Sequence, residues 1–537
     1  MVDTKTPLSL TPILLVAVAL IVLAVLLAVI GRDPSVEDLE PSVVSAGDEV
    51  VITGRNLGNE IGTLLFGGRE LPTANVTLWR DEQISFTVPR TADSGLLYVI
   101  NERGRSDGVL LQVRESMPVA GSGIERPGAP IVDAVSEETL RVGTTVTIRG
   151  SNFGRLRRSS RVVFPMAGAV SCASCAEALS YAFWSDSEIV VRVPSGVTSG
   201  LVSVVTAWGA SNPVRILVER PSGGLAAENP AEIALRYGAR LTDVILDSPE
   251  EPVLPGERDI VIRLPVLSTT HAQRSLRYLS DRTHQSRFEL VDASFDHEIT
   301  RTLIVERFAI RSEINPAAIS AAYEAETGFF EHYTRALPDL PVDEPGIQEV
   351  AGRLRANRAS PYRIAEAAYE FTLDSLVYAI GMPDRSVISG LEAGAGDDFT
   401  YALVFVTALR AARVPARPVG GILVTEDGDA YPHFWAEFFV TGIGWIPVDP
   451  ALGDGAFPAG FPVPEDPRTF YFANLDNRRL AFSHGYDSRE PTFLDGVSRT
   501  PDDPYTLQRS FADAGARIAS FELDWHAPRV IGLFLSD

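Results

Sequence analysis

Cysteine is nearly absent from this chain: 537 residues hold only Cys172 and Cys175. Two thiols cannot build a disulfide framework, so hydrophobic cores must supply the stability. Positive charge is also short. Lys and Arg number 47 against 70 Asp and Glu, a net charge of −23. Phosphate binding needs clustered cations, so this balance argues against a nucleic-acid partner. It favours a soluble, self-repelling surface. No pattern calls for a cofactor. The apolar and charged fractions, 45% and 22%, are ordinary for globular protein. The length implies about three or four domains.

The one long apolar run comes first. Leu8 to Gly31 carries no charge, and Ile13 to Ile30 is almost purely Ile, Leu, Val and Ala. A helix of about 20 such residues spans a bilayer core, and Pro12 suits its first turn. A cleaved signal peptide would have a shorter apolar region and a small-x-small site. The end of this run, Ala28-Val29-Ile30-Gly31-Arg32, offers none. Residues 1–33 are therefore expected to be an uncleaved, single-pass transmembrane signal anchor. Lys5 and Arg32 flank it and orient it poorly. The modules that follow suit an extracytoplasmic side, in the periplasm or at the cell surface.

An internal repeat follows. Gly47, Gly54, Asn56 and Gly58 recur at a constant offset as Gly143, Gly150, Asn152 and Gly154. Trp79, Pro89 and Gly95 find counterparts in Trp184, Pro194 and Gly200. Alternating strands and Gly/Asn turns imply small β-sandwiches. The Gly-x-Asn-x-Gly turn after an alternating strand resembles IPT/TIG domains, which have an immunoglobulin-like fold. Two are expected, at 34–114 and 129–219. Cys172-Ala-Ser-Cys175 falls in an insertion of the second. No second CxxC or His pair completes a zinc site, so a local disulfide or two free thiols is expected there.

Residues 220–235 read as a Ser/Gly/Pro/Ala linker. Residues 236–344 read as a β-rich region, with Ile260, Ile262 and Leu264 alternating. Two helices are then expected. Ile347, Val350, Ala351 and Leu354 share one face; Ile364, Ala367, Ala368 and Phe371 share another.

The chain is organised around Gly394 to Pro450. A Gly-rich turn runs into an apolar helix, with Ala402, Phe405, Val406 and Leu409 at helical spacing, and Val414-Pro415 ends it. Two strand-like segments follow, one around His433-Phe434-Trp435 and one around Trp445-Ile446-Pro447-Val448-Asp449-Pro450. This arrangement resembles the core of the transglutaminase-like superfamily, a papain-type α+β fold, with the core at 345–490; with the β-region before it, the resemblance covers about residues 236–490. The resemblance implies a nucleophilic Cys at the helix start, a His on one strand and an Asp on the next. Arg410 to Arg417 matches the family's Leu-Arg-Ala-x-Gly-Ile-Pro-Ala-Arg ending, with Arg413 where Gly is usual. His433 matches its His-x-Trp, and Asp449-Pro450 its Asp-Pro. Counting back places the nucleophile at Asp398, within Gly396-Asp397-Asp398. The thiol is missing, and both cysteines lie far upstream. Residues 491–537 read as a tail without a motif.

Three roles remain open for Asp398. It, or Asp397, could cap the helix. Asp398, His433 and Asp449 could form a catalytic constellation with a carboxylate nucleophile, suited to saturated carbon rather than to acyl groups. The same residues, with Asp427, Asp429 and Glu437 close in sequence, could hold a divalent metal; no metal site is taken as the expectation. His271, His284, His297, His332, His484 and His526 show no ligand spacing and are expected at the surface. The expected protein is a membrane-anchored, catalytically degenerate binding or scaffolding module for a protein, peptide or cell-wall ligand. The alternative is a hydrolase or transferase using Asp398, His433 and Asp449, or a bound metal.

Overall fold

The computed structural model describes residues 34–535, except 42, 46, 67–68, 90–94, 107, 114–127, 167–177, 247–256, 281–284, 290–295, 320–322, 324–327, 487–493, 495 and 501–504. The expected membrane anchor and Cys172-Ala-Ser-Cys175 lie outside the described residues. Among those described, no helix is long and apolar enough to cross a membrane. The chain divides into two compact units at Arg126/Pro127.

The first unit is a sandwich of two sheets. One holds Ser35–Glu40, Glu49–Arg55, Gln83–Thr87 and Val76–Arg80, in that order. Along Glu49–Arg55 burial alternates, so Val50 and Ile52 enter the core and Thr53 does not. The second sandwich, in the second unit, repeats this sheet with Ile131–Val135, Thr145–Ser151, Glu188–Arg192 and Tyr181–Trp184. The repeated turn residues have a backbone cause. Asn56 and Asn152 sit at φ 57° and 62°, the left-handed region that Asn tolerates better than most residues. The repeated Trp closes the same turn: Trp79 Nε1 donates to the Leu57 carbonyl at 3.0 Å, and Trp184 Nε1 to the Gly154 carbonyl at 3.0 Å.

Two boundaries differ from those expected. The segment 220–235 is not all linker: the 22-residue strand Leu225–Leu246 begins inside it. The tail is not separate either. Its strand Ile518–Leu535 pairs antiparallel with Leu225–Leu246, whose other edge carries His297–Ser312. A second sheet of Gln285–Glu289, Asp259–Arg263, Phe511–Ala514 and Ser498–Arg499 completes the β-region. Val244, Ile260, Ile262, Leu303, Val305 and Phe521 share its core.

The α+β core has a four-stranded antiparallel sheet in the order Gly444–Val448, Ala430–Val440, Ala416–Val424, Arg479–His484. Helix Pro345–Arg355 buries Ile347, Val350, Ala351 and Leu354, as its periodicity predicts. Helix Pro361–Ser375 is rotated from the expected face: Ile364, Ala365, Ala368 and Tyr369 are buried, while Ala367 and Phe371 are only partly so. Helix Asp398–Ala411 is buried all round, not along one stripe, with Phe399 alone only partly buried. Such a helix belongs inside a core. It packs on the sheet face formed by Ala436, Phe438 and Val440. Period-two alternation turns His433, Trp435, Glu437 and Phe439 to the opposite face. Arg413, where the family has Gly, adopts φ 64°, a conformation Gly takes without steric cost.

Candidate functional site

The two aspartates at the head of the buried helix divide their work. Asp397 is the N-cap, its carboxylate accepting from Thr400 N at 3.1 Å. Arg385 reaches in from the preceding loop, pairs with the Asp397 carboxylate at 2.5 Å and lies over the Phe399 ring. Asp398, one residue on, is left to face the sheet. Its Oδ1 accepts from Phe399 N at 3.0 Å, and its Oδ2 accepts from Phe434 N at 2.9 Å. The same Oδ2 lies 3.0 Å from His433 Nδ1.

The other side of the imidazole is also engaged. His433 Nε2 lies 2.8 Å from Asp449 Oδ2. Asp449 has a structural duty of its own: its Oδ1 accepts from Leu452 N at 3.1 Å and caps helix Pro450–Gly453. Asp as N-cap with Pro at N1 is a favoured helix start, so the Asp-Pro pair has a folding role apart from any chemistry. Arg479 Nη1 donates to Asp449 Oδ2 at 2.7 Å, and Arg479 Nε to Asp476 Oδ1 at 3.3 Å. Arg479 is also packed over Trp435, 5.1 Å from the ring centroid. Trp435 in turn stacks on His433, with centroids 6.1 Å apart and planes 19° apart.

This is a row of alternating charge: Asp398, His433, Asp449, Arg479, Asp476. His433 is 4% exposed and Asp449 is fully buried. Burial disfavours the imidazolium, but the Asp449 and Asp398 carboxylates outweigh it and raise the His433 pKa to about 9. Asp449 moves the other way: burial pushes it up, and His433 and Arg479 overcome that and hold it below the usual carboxylate range. Burial, then the charges of Asp398, Asp397 and Asp449, push the Tyr378 phenol up to about 12.

The chemical consequence is specific. Both imidazole nitrogens face carboxylate oxygens, so both carry protons at neutral pH and neither offers a lone pair. A general base needs one. His433 is here a buried cation between two anions.

The site thus brings together Asp398, His433 and Asp449. It leaves out Glu437, whose carboxylate is held by Arg417 Nε at 2.8 Å and by His484 Nδ1 at 3.1 Å. Asp427 and Asp429 lie in the hairpin turn between Ala416–Val424 and Ala430–Val440. Among the described residues no group of three or more His, Cys, Asp or Glu is placed to hold a metal ion. Two of the histidines expected at the surface are interior: the Nε2 atoms of His271 and His484 are both buried. They lie where the second sandwich packs on the core and β-region, which sequence spacing cannot foresee. Arg385, Arg479 and Asp476 were also missed. Arg479 is readable only as one polar residue opening a strand: Asp476 lies three residues before it, but Asp449 arrives through long-range pairing.

Residues 348–450 match the transglutaminase-like superfamily. Residues 34–113 and 130–216 each match the IPT/TIG domain. The chain carries a transglutaminase-like core and two IPT/TIG domains. No curated protein matches it. Among solved structures, a "putative cysteine protease" of Cytophaga hutchinsonii is 12% identical, with 57% of this chain and 92% of that one aligned, at a TM-score of 0.35. The surface glycan-binding protein SGBP-B of Bacteroides uniformis is 12% identical over 52% of this chain and 99% of its own, at a TM-score of 0.14. A surface glycan-binding protein of Prevotella bryantii is 13% identical over 44% and 71%, at 0.17. Likenesses this weak carry no argument. The matched families therefore rest on the sequence models, and the transglutaminase-like match ends at Pro450, the residue after Asp449.

Proposed function

We propose that this protein is a non-catalytic binding or scaffolding module of the cell envelope, built on a transglutaminase-like core that has lost its thiol. The observation that carries this reading is the double engagement of His433, at 3.0 Å by Asp398 and at 2.8 Å by Asp449. In a thiol enzyme of this arrangement the imidazole cycles between partners as it takes and returns a proton. Here a permanent carboxylate occupies the nucleophile's place and locks the imidazolium. Asp398 is also a poor acyl acceptor, since an acyl–carboxylate product is an anhydride. The apolar run Leu8 to Gly31 supports attachment to a membrane through one helix. The two IPT/TIG domains, before the core in sequence, serve as the spacer that presents it to a protein, peptide or cell-wall partner.

The test is an activity assay beside His433→Ala. The substrates are a glutamine peptide with a labelled amine, and a panel of peptides, esters and amides. The expected result is no turnover above that of the variant. Turnover lost in His433→Ala would overturn the proposal. It would return the site to the enzyme reading, which the 3.0 Å Asp398–His433 contact permits only if the imidazolium gives up its proton.

A further inference from the structure

A second polar cluster lies on the same sheet face, away from Asp398. It sits where the second sandwich, the β-region and the core meet. The sandwich and the core are joined there by two hydrogen bonds. Gly442 N donates to the Val142 carbonyl at 2.7 Å, and Trp445 N donates to Ser195 Oγ at 2.9 Å. Between them is a cavity of about 80 Å³ lined by Arg307, His271, Trp435, Trp445, Ala481 and the Arg417-paired Glu437, among others.

Arg307 is the anomaly. It is 5% exposed, on the long strand His297–Ser312. Its Nη1 donates to the Ala272 carbonyl at 3.0 Å. Its buried Nε has no hydrogen-bond partner among the described residues. No carboxylate forms an ion pair with it, although the buried carboxylates nearby are paired: Glu437 with Arg417 and His484, Asp476 with Arg479. Burying a cation with no carboxylate in contact carries a desolvation cost, which the charges of Asp476 and Glu437 offset only in part. Burial lowers the Arg307 pKa to about 10, so the guanidinium stays charged at neutral pH. With Nη1 pinned, the remaining Nε/Nη2 edge is the planar two-donor fork that matches a carboxylate. His271 adds a second buried nitrogen without a partner, Nε2, in the same wall.

We propose that this cavity is a binding site for a small carboxylate, held bidentately by the Nε/Nη2 edge of Arg307, with its short alkyl end against Trp435, Trp445 and Phe439. The size sets the ligand. One water needs about 10–15 Å³ and benzene occupies a cavity of about 150 Å³, so the space suits two to four carbon atoms. The planar fork, with the rings of Trp435, Trp445 and Phe439 beside it, favours a carboxylate over a phosphate. Neither Asp398 nor His433 lines the cavity, so binding here is tested apart from any chemistry at that pair, although Trp435 touches both sites.

The experiment is ¹⁹F NMR of trifluoroacetate with the full chain, competed by acetate, propionate and inorganic phosphate. Saturable broadening reversed by acetate and propionate is expected. Arg307→Gln should weaken binding about tenfold or more, the loss of two charged hydrogen bonds. Arg307→Lys, which keeps the charge without the fork, should also weaken it. Ala481→Leu keeps the guanidinium and fills the cavity from another wall, so it must abolish binding as well; it serves if the Arg307 variants do not fold. No saturable binding by the wild type would overturn the proposal. So would binding unchanged in Arg307→Gln or Ala481→Leu, or competition by phosphate but not by acetate.

Discussion

If His433 is a locked imidazolium, the core should lose stability in alkali and not near pH 6. Its folded pKa is about 9 against an ordinary 6.5. At about 1.4 kcal/mol per unit, the difference is worth roughly 3 kcal/mol. The sign follows from the direction of the shift. A raised folded pKa gives stability that is complete below pH 6.5 and disappears as the pH rises through 9. The perturbation that isolates it is Asp398→Asn, which keeps the shape and removes one anion 3.0 Å from Nδ1. An opposite charge at this range is worth about 1–3 pKa units, so the alkaline transition should move down by that amount. The assay has two parts. Imidazole ¹⁵N NMR, with His433 assigned from His433→Gln, should show both nitrogens protonated at pH 7.5 in the wild type. Hydrogen exchange across Asp398–Ala411, corrected for the intrinsic rate, should show protection falling between pH 7 and 10, and earlier in Asp398→Asn. An imidazole that titrates at or below pH 6.5, or a lone pair on either nitrogen at neutral pH, would refute the reasoning.

Asp398→Cys in a Cys172→Ser/Cys175→Ser background places a thiol at a helix N-terminus beside His433. Iodoacetamide should alkylate it near pH 6, as for a thiol of lowered pKa; a midpoint near 8.5 would show that the imidazolium does not reach it. Arg479→Met leaves Asp449 and Asp476 buried without their shared cation. Urea unfolding of the core should show a loss of about 3–5 kcal/mol, and a loss below about 1 kcal/mol would mean that the charge row carries little stability. Asn152→Ala puts a Cβ-bearing residue with no local hydrogen-bonding side chain at φ 62°, which should cost the second sandwich about 1–2 kcal/mol. Asn152→Gly should restore most of this in thermal unfolding, and equal losses in both variants would place the role of Asn152 in its side chain.

The sandwiches and the core were legible because local pattern and final environment agree. Alternation along Glu49–Arg55 marks one face as buried, and the Asn turns recur at positions whose backbone requires them. The Asp-Pro and His-x-Trp segments were readable because each combines a local backbone role with a site position. The β-region was read short at both ends for a reason visible in its geometry. Pro230 looks like a break, yet the strand Leu225–Leu246 absorbs it in a bulge between Glu228 and Pro230, next to Asn229 at φ 48°. The strand Ile518–Leu535 has register shifts against its partner, which blur its period. At the site, sequence could place Asp398, His433 and Asp449 side by side in a list. It could not say which aspartate caps the helix, because both oxygen sets are chemically equivalent and only the turn geometry separates them. Arg479 and Arg307 escaped because their surroundings are assembled from elements far apart in the chain.

The pairing of Ala231 with Leu535 and of Leu246 with Ile518 has a consequence for how the protein is made. The middle strand of the β-region is synthesised before the whole transglutaminase-like core, and its edge partner after it. The sheet therefore cannot close until Ile518–Leu535 has left the ribosome. Until then one long edge of Leu225–Leu246 stands open, a template for pairing with another chain. The IPT/TIG domains and the core can fold as they emerge, but the strand Ile518–Leu535 sets the moment at which the β-region is finished.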